Sequence, residues 1–414
     1  MGRCCCDYRY LLLLAAVPFI YIQLRLFAAQ SQYADRLANA IEEENHCMRQ
    51  TRLLIDQISI QQGRIIALEE EKKRQDQECG QLRALVQDLE RKGLEKLVGN
   101  VQVPVAAVVV MACNRADYLE RTIKSILKYQ SPLASRFPLF ISQDGSDPHV
   151  KSKALSYDQL TYMQHLDYEP VHTERPGELI AYYKIARHYK WALDQLFYEH
   201  KFSRVIILED DMEIAPDFFG YFEAGAALLD HDKSIMAISS WNDNGQRQFV
   251  HDPYVLYRSD FFPGLGWMLS RSTWDELSPK WPKAYPSRLN MGQFYQQYLE
   301  PIKLNDVQVD WKSMDLSYLE EDKYVKHFAD LLKKATPVHG IDAVLKAYNI
   351  DGDVRIFYRD QSDFERITSQ FGIFQEWKDG VPRTAYKGVV VFRYQTQRRV
   401  FLVGPDSLQE LGIR

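Results

Sequence analysis

Three consecutive carboxylates, Glu209-Asp210-Asp211, end the apolar run Val205-Ile206-Ile207-Leu208. Such a run reads as a strand buried on both faces. Side chains alternate faces along a strand, so three adjacent acids cannot all reach water while the strand continues. Their mutual repulsion calls for a cation from outside. A hard divalent ion bridging a carboxylate to a phosphate meets that need, since Mg²⁺ and Mn²⁺ prefer oxygen ligands and commonly take only one or two from protein. The plainer reading is an acidic loop leading into a helix that starts near Pro216 and Asp217.

The elements that must position these acids are legible around them. Val105 to Met111 reads as a buried strand, followed by Asn114-Arg115. Asp117 with Glu120 resembles a helix start, and Leu119, Ile123, Ile126 and Leu127 give that helix an apolar face. Pro138 to Ser142 is the next strand, closing on Gln143-Asp144-Gly145, and Asp147-Pro148 opens a second helix. Thr161 to Leu166 reads as a strand, Gly177 to Glu199 as a helix and Phe202 to Leu208 as the strand that carries the acids. Alternating strands and helices predict a mostly parallel sheet covered on both sides. Ligands of such sheets sit beyond the carboxyl ends of the strands. Arg115, Asp144 and Glu209-Asp210-Asp211 all fall there. Arginine suits a diphosphate or a base carbonyl, and Asp144 can accept from a ring N–H or a ribose hydroxyl. Singly, Arg115 is a solvated loop charge and Asp144 a turn former; jointly they describe a nucleotide site.

The 414 residues allow two or more domains, and a net charge of −5 argues against a nucleic-acid partner. Residues 10–29 form a largely apolar run whose only charge is Arg25, with Arg3 and Arg9 before it. It reads as a signal anchor after a cytosolic tail of residues 1–9, with a cleaved signal peptide as the alternative. Residues 30–100 are polar, with Leu54, Ile58, Ile65 and Leu68 at helical spacing. They read as a helical or loosely coiled-coil stem, or else a disordered linker of the same spacing role. A catalytic domain is expected over 101–335. A small strand-rich domain follows over 336–414, with a hairpin from Gly388–Tyr394 and Arg399–Val403. Six cysteines make no dense disulfide framework. Cys4, Cys5 and Cys6 are open to palmitoylation, and Cys47 or Cys79 to a link between chains. No Asn-x-Ser/Thr sequon occurs.

Several runs carry a more specific resemblance: Met111-Ala112-Cys113-Asn114-Arg115, Phe140-Ile141-Ser142-Gln143-Asp144, His188-Tyr189-Lys190-Trp191-Ala192-Leu193, Leu208-Glu209-Asp210-Asp211, Ser240-Trp241-Asn242-Asp243-Asn244-Gly245, Phe261-Phe262-Pro263-Gly264-Leu265-Gly266-Trp267 and Gly380-Val381-Pro382-Arg383. Through these the chain resembles the plant N-acetylglucosaminyltransferase I family over nearly its whole length. The resemblance implies an inverting GT-A glycosyltransferase of the Golgi membrane, type II, with a Rossmann-like mixed sheet. It implies transfer of GlcNAc from UDP-GlcNAc, with Mn²⁺, to the α-1,3-arm mannose of a Man5GlcNAc2 N-glycan. Position by position it implies that Arg115, Asp144 and His188 hold UDP, that Glu209 contacts the GlcNAc and Asp210 the ribose, that Leu265 lines the sugar pocket, and that Asp211 is the metal's one direct protein ligand. Read without the family, His188 is a satisfied core histidine.

One stretch departs from the pattern. The family places its catalytic base, the first Asp of Trp-Asp-Asp-Trp, directly after a run matching Trp281-Pro282-Lys283-Ala284-Tyr285. Here Pro286-Ser287-Arg288-Leu289-Asn290-Met291 follows instead, and Ser287 stands at the base position. An unactivated hydroxyl is a poor base. The loop that closes over the nucleotide in the family is missing too. A lost internal segment is expected, with UDP-sugar binding weakened and transfer slight or absent. A catalytically inactive variant that pairs with other Golgi enzymes through anchor and stem is the alternative.

Overall fold

The computed structural model describes residues 8–97, 103–174, 177–246, 248–250, 252–262, 264–284, 300, 302, 304–340, 352–394 and 398–413, with side chains of the first helix described for 15–66 and 68–74. Ser287 and its neighbours therefore lie outside the described residues. The chain divides into two compact units, Met1–Val101 and Gln102–Arg414.

The first unit is one helix, α1 (Tyr8–Leu97), of 90 residues. At about 1.5 Å per residue it is on the order of 135 Å long. Residues 30–97 of the predicted stem fall within this helix. Among the described residues, no helix is long and apolar enough to cross a membrane. The reason is local: Gln23, Arg25 and Gln30 dilute the described stretch, and Tyr10 to Leu14, the most apolar part of the predicted span, lies outside the described side chains. The predicted anchor over 10–29 is not supported as a spanning helix by this unit. Cys47 is exposed and unpaired; Cys4–Cys6 and Cys79 lie outside the described side chains.

The second unit opens with β1 (Ala107–Ala112), six fully buried residues. Helix α2 (Ala116–Gln130) follows, then β2 (Leu139–Asp144). Helix α3 (Pro148–Leu155) starts where Asp147 accepts from the backbone N–H of His149 and Val150, an N-cap with Pro at the first turn. Next come β3 (Leu160–His165), α4 (Ile180–Asp194) and β4 (Arg204–Glu209). Helix α4 is shorter than the predicted 177–199: it starts at Ile180, and its last turn, Gln195–Glu199, widens to π geometry. Helix α5 (Phe218–His231), β5 (Ile238–Ser239), β6 (Trp267–Ser270) and α6 (Arg271–Leu277) complete the layer.

The strands form one sheet in the order β3-β2-β1-β4-β6-β5. β3, β2, β1 and β4 run parallel, while β6 runs antiparallel to β4 and β5 antiparallel to β6. The fold is therefore mixed α/β. Alternate residues of β1 supply the two faces. Val108 and Val110 pack with Leu119, Ile123, Phe218 and Phe222 of α2 and α5. Val109 packs with Tyr189 and Leu193 of α4, and with Ile207 and Leu269. Burial on both sides explains why β1 and β4 read as unbroken apolar runs.

A second sheet is built from β7 (Thr336–Val338), β8 (Val354–Phe357) and the hairpin β11 (Val389–Arg393) with β12 (Arg399–Val403); the two-residue strands β9 (Trp377–Lys378) and β10 (Val381–Pro382) pair beside it. Its order is β11-β12-β8-β7, and the hairpin is the predicted one, with Val389 opposite Val403. One face packs on Tyr324, Phe328 and Leu332 of α7 (Glu321–Lys334), the other on Phe364, Ile367 and Phe371 of α8 (Gln361–Phe371).

Candidate active site

The register of the first sheet brings three strand ends to one edge. Met111 lies opposite Ser142 on one side and Glu209 on the other. Arg115, Asp144 and the acid triplet thus leave neighbouring parallel strands in the same direction. A cleft of about 700 Å³ opens beside them, lined by Asn114, Arg115, Tyr118, Asp147 and Lys153.

The acids differ sharply in surroundings. Asp210 is 3% exposed, and Thr122 Oγ1 donates to its backbone carbonyl at 2.8 Å. Burial pushes its carboxyl up, while the Arg115 guanidinium pulls it down. Glu209 accepts from the Tyr189 hydroxyl at 2.9 Å; burial raises its carboxyl too, that hydrogen bond opposing. Asp211 is the outward member, its side chain 38% exposed.

Arg115 faces these acids from the start of α2. Its guanidinium donates to Asp211 Oδ2 at 2.9 Å and pairs with Asp210 Oδ1. It also lies 5.1 Å from the Tyr118 ring centre. Part of the counter-charge these acids need thus comes from the chain itself, where the sequence called for a cation from outside. The donor set, one open carboxylate backed by a buried one, fits a hard divalent ion that takes most of its ligands from a diphosphate and water. Among the described residues, no group of three or more His, Cys, Asp or Glu side chains could hold a metal by protein alone.

Asp144 accepts from His165 Nδ1 at 2.9 Å. His188 is 4% exposed and bonds Ser142 Oγ through Nε2 at 2.8 Å. Burial lowers its imidazole to about 4, so it is neutral at ordinary pH. The core reading of His188 describes its surroundings; it reaches the edge of the site through the His165 ring, stacked 5.5 Å away. Leu265 sits between Gly264 and Gly266, both at positive φ, and its carbonyl accepts from Ser239 Oγ at 2.8 Å. A Cβ on Gly266 would meet Ser240 Oγ at 2.4 Å, so this turn needs glycine for space as well as for φ. The sequence reading missed three supports: Tyr189, quoted only within a matching run; Thr122; and His165, passed over inside a strand. For His165 the signal is the register alone, which the structure supplies: it ends β3 directly opposite Asp144, which ends β2.

The family model for the GNT-I family matches residues 13–289 and 287–414. Alpha-1,3-mannosyl-glycoprotein 2-beta-N-acetylglucosaminyltransferase of Arabidopsis thaliana is 69% identical over 442 aligned positions, covering 100% of both chains. Among solved structures, the mannosyltransferase PcManGT from Pyrobaculum calidifontis, in complex with GDP-Man and Mn²⁺, is similar with a TM-score of 0.29 and 15% identity, covering 57% of this chain and 66% of that one. S. aureus TarS 1-349 in complex with UDP-GlcNAc is similar with a TM-score of 0.29 and 14% identity, covering 55% and 66%. These structural likenesses are too remote to carry inference; the sequence matches are not. The mixed sheet with acids at its strand ends is that of a glycosyltransferase, an enzyme of N-acetylglucosaminyl transfer. The chain belongs to the GNT-I family.

Proposed function

We propose that this site is built for inverting transfer of GlcNAc from UDP-GlcNAc to the α-1,3-arm mannose of a Man5GlcNAc2 N-glycan. The carrying observation is the meeting of Arg115, Asp144 and Glu209-Asp210-Asp211 at one sheet edge, in a chain so close to a curated transferase. Arg115 offers the diphosphate a planar, permanently charged donor fork. Asp144 accepts from the nucleoside, Asp210 from the ribose, and Glu209, steadied by Tyr189, from the sugar. His188 is assigned to UDP through its contact with the ring beside Asp144. Leu265 borders the sugar. Asp211 would hold Mn²⁺, which when bound supplies charge stabilisation to the departing diphosphate.

Inversion also needs a base opposite the leaving group. We infer that the segment carrying it is absent. Two observations support this: the family match breaks into two overlapping pieces at 287–289, and 442 aligned positions against 414 residues leave at least 28 without a counterpart here. Losing a base costs roughly 10²–10⁴ in rate, and losing a closing loop adds to that. The reading is a UDP-sugar site with slight or no transfer. The same break favours a second reading, a catalytically inactive variant acting through pairing with Golgi enzymes. Type II placement in the Golgi membrane through residues 10–29, and oligomers through α1, belong to the proposal and rest on the sequence.

Calorimetry tests the site: UDP uptake should depend on Mn²⁺ and vanish in Asp211→Ala. A transfer assay on Man5GlcNAc2 tests the break, and family-like turnover by the purified chain would refute it. Capture of a Golgi transferase by the full chain would favour the second reading.

A further inference from the structure

We propose that His165 is a positioning residue that turns Asp144 into a one-sided acceptor for the ring N–H of uracil. The inference rests on the nucleotide reading above. His165 closes β3 directly opposite Asp144 in the parallel register. Its Nδ1 lies 2.9 Å from Asp144 Oδ1. An ionised carboxylate only accepts, so Nδ1 carries the proton. The imidazole is walled in, 5.5 Å from the His188 ring at an interplanar angle of 12° and 5.1 Å from the Trp191 ring. His188 is itself tied to Ser142, which precedes Asp144 on the same strand. A ring so confined cannot swing away, so it holds the carboxylate in one rotamer.

Both side chains are mostly buried, at 12% and 17% exposure, and among the described residues no hydrogen-bond partner meets Asp144 Oδ2. That oxygen is left to a ligand. Uracil presents N3–H, a donor; cytosine presents an unprotonated N3, an acceptor that a fixed carboxylate repels. A carboxylate held from one side discriminates between them, and a freely rotating one can turn aside.

The test is calorimetry on the full chain with Mn²⁺, comparing UDP with CDP. In His165→Phe, UDP affinity should fall roughly 10-fold, about one lost hydrogen bond, with CDP little changed, so that the preference between them narrows. His165→Asn, whose amide N–H sits near the Nδ1 position, should restore it. Equal losses for both nucleotides, or an unchanged UDP/CDP ratio, would assign His165 a merely structural part and overturn the proposal. A measurement without nucleotide keeps it separable from the reading it rests on. In ¹⁵N-histidine spectra of the free protein, the His165 ring should show a protonated Nδ1 whose signal moves in Asp144→Asn; an unprotonated Nδ1 would sink the idea even if UDP binds. Failure of the wild-type chain to take up UDP would instead overturn the nucleotide reading and, with it, the assignment of a uracil to Asp144.

Discussion

Asp210 and Arg115 illustrate how strongly neighbouring groups depend on each other here. Replacing Arg115 by Gln leaves a buried carboxylate without its partner, and such orphaned groups cost about 1–3 kcal/mol. A lower urea midpoint for Arg115→Gln, with the slope unchanged, is the expected result. His188 gives a pH dependence with a definite sign. Its folded value, about 4, lies below the ordinary 6.5, so as pH falls the unfolded chain takes up a proton first. The stability tied to its neutrality is complete above 6.5 and is lost between 6.5 and 4, up to about 3 kcal/mol. Thermal melts should therefore show a flatter acid limb for His188→Gln; an identical limb would mean that the imidazole is not kept neutral. At this scale the sequence marked the groups that point outward from strand ends. It could not mark Tyr189 or His165, because a hydroxyl or imidazole inside a regular element looks like packing until the partner strand's register is known.

Elements were legible wherever burial forces a pattern. β1 and β4 are apolar on both faces and announced themselves; Asp147 and Pro148 fixed the start of α3 because the cap and the ring each do one local job. The end of α4 was not legible, since nothing in Gln195–Glu199 distinguishes a π turn from an α turn. Nor was the long-range tie between Arg383 and Asp243. Arg383 is 1% exposed, makes 2.6 and 2.8 Å bonds to both oxygens of Asp243, pairs with Glu376, and lies between the rings of Phe261 and Phe374. It thereby pins the loop after β5 to the chain just past β10. Trp241 Nε1 also donates to Asp243 at 3.0 Å. Breaking one side of a buried pair costs about 3–5 kcal/mol. Asp243→Ala should lose stability of that order by chemical denaturation, while a double change of Asp243 and Arg383 to apolar residues should lose less than the single change.

On the scale of the whole molecule, the division at residue 101 makes a prediction of its own. A chain beginning at Gln102 should melt as the second unit does in the full protein and match the full chain in the proposed Mn²⁺-dependent UDP uptake; a collapse of either relative to the full chain would show that α1 takes part in that unit's stability. Grafting the corresponding segment of the Arabidopsis relative between Tyr285 and Gly292 should raise transfer by roughly 10²-fold or more if a base is what is lacking. The departure from the family pattern after Tyr285 was visible in sequence because the runs flanking it are so specific, whereas the effect on packing of the proposed loss was not, since a lost segment would leave no residue behind to read. The guanidinium resting on Asp210 and Asp211 has one more consequence. A bare acidic pair would scavenge whatever divalent ion is most abundant. With one of its two charges already offset by Arg115, the pair should hold a bystander such as calcium more weakly than a bare pair would, and an ion arriving together with a polyanion that draws the arginine off should gain the firmer foothold. Selectivity against stray ions would then come from a counter-charge the protein carries itself.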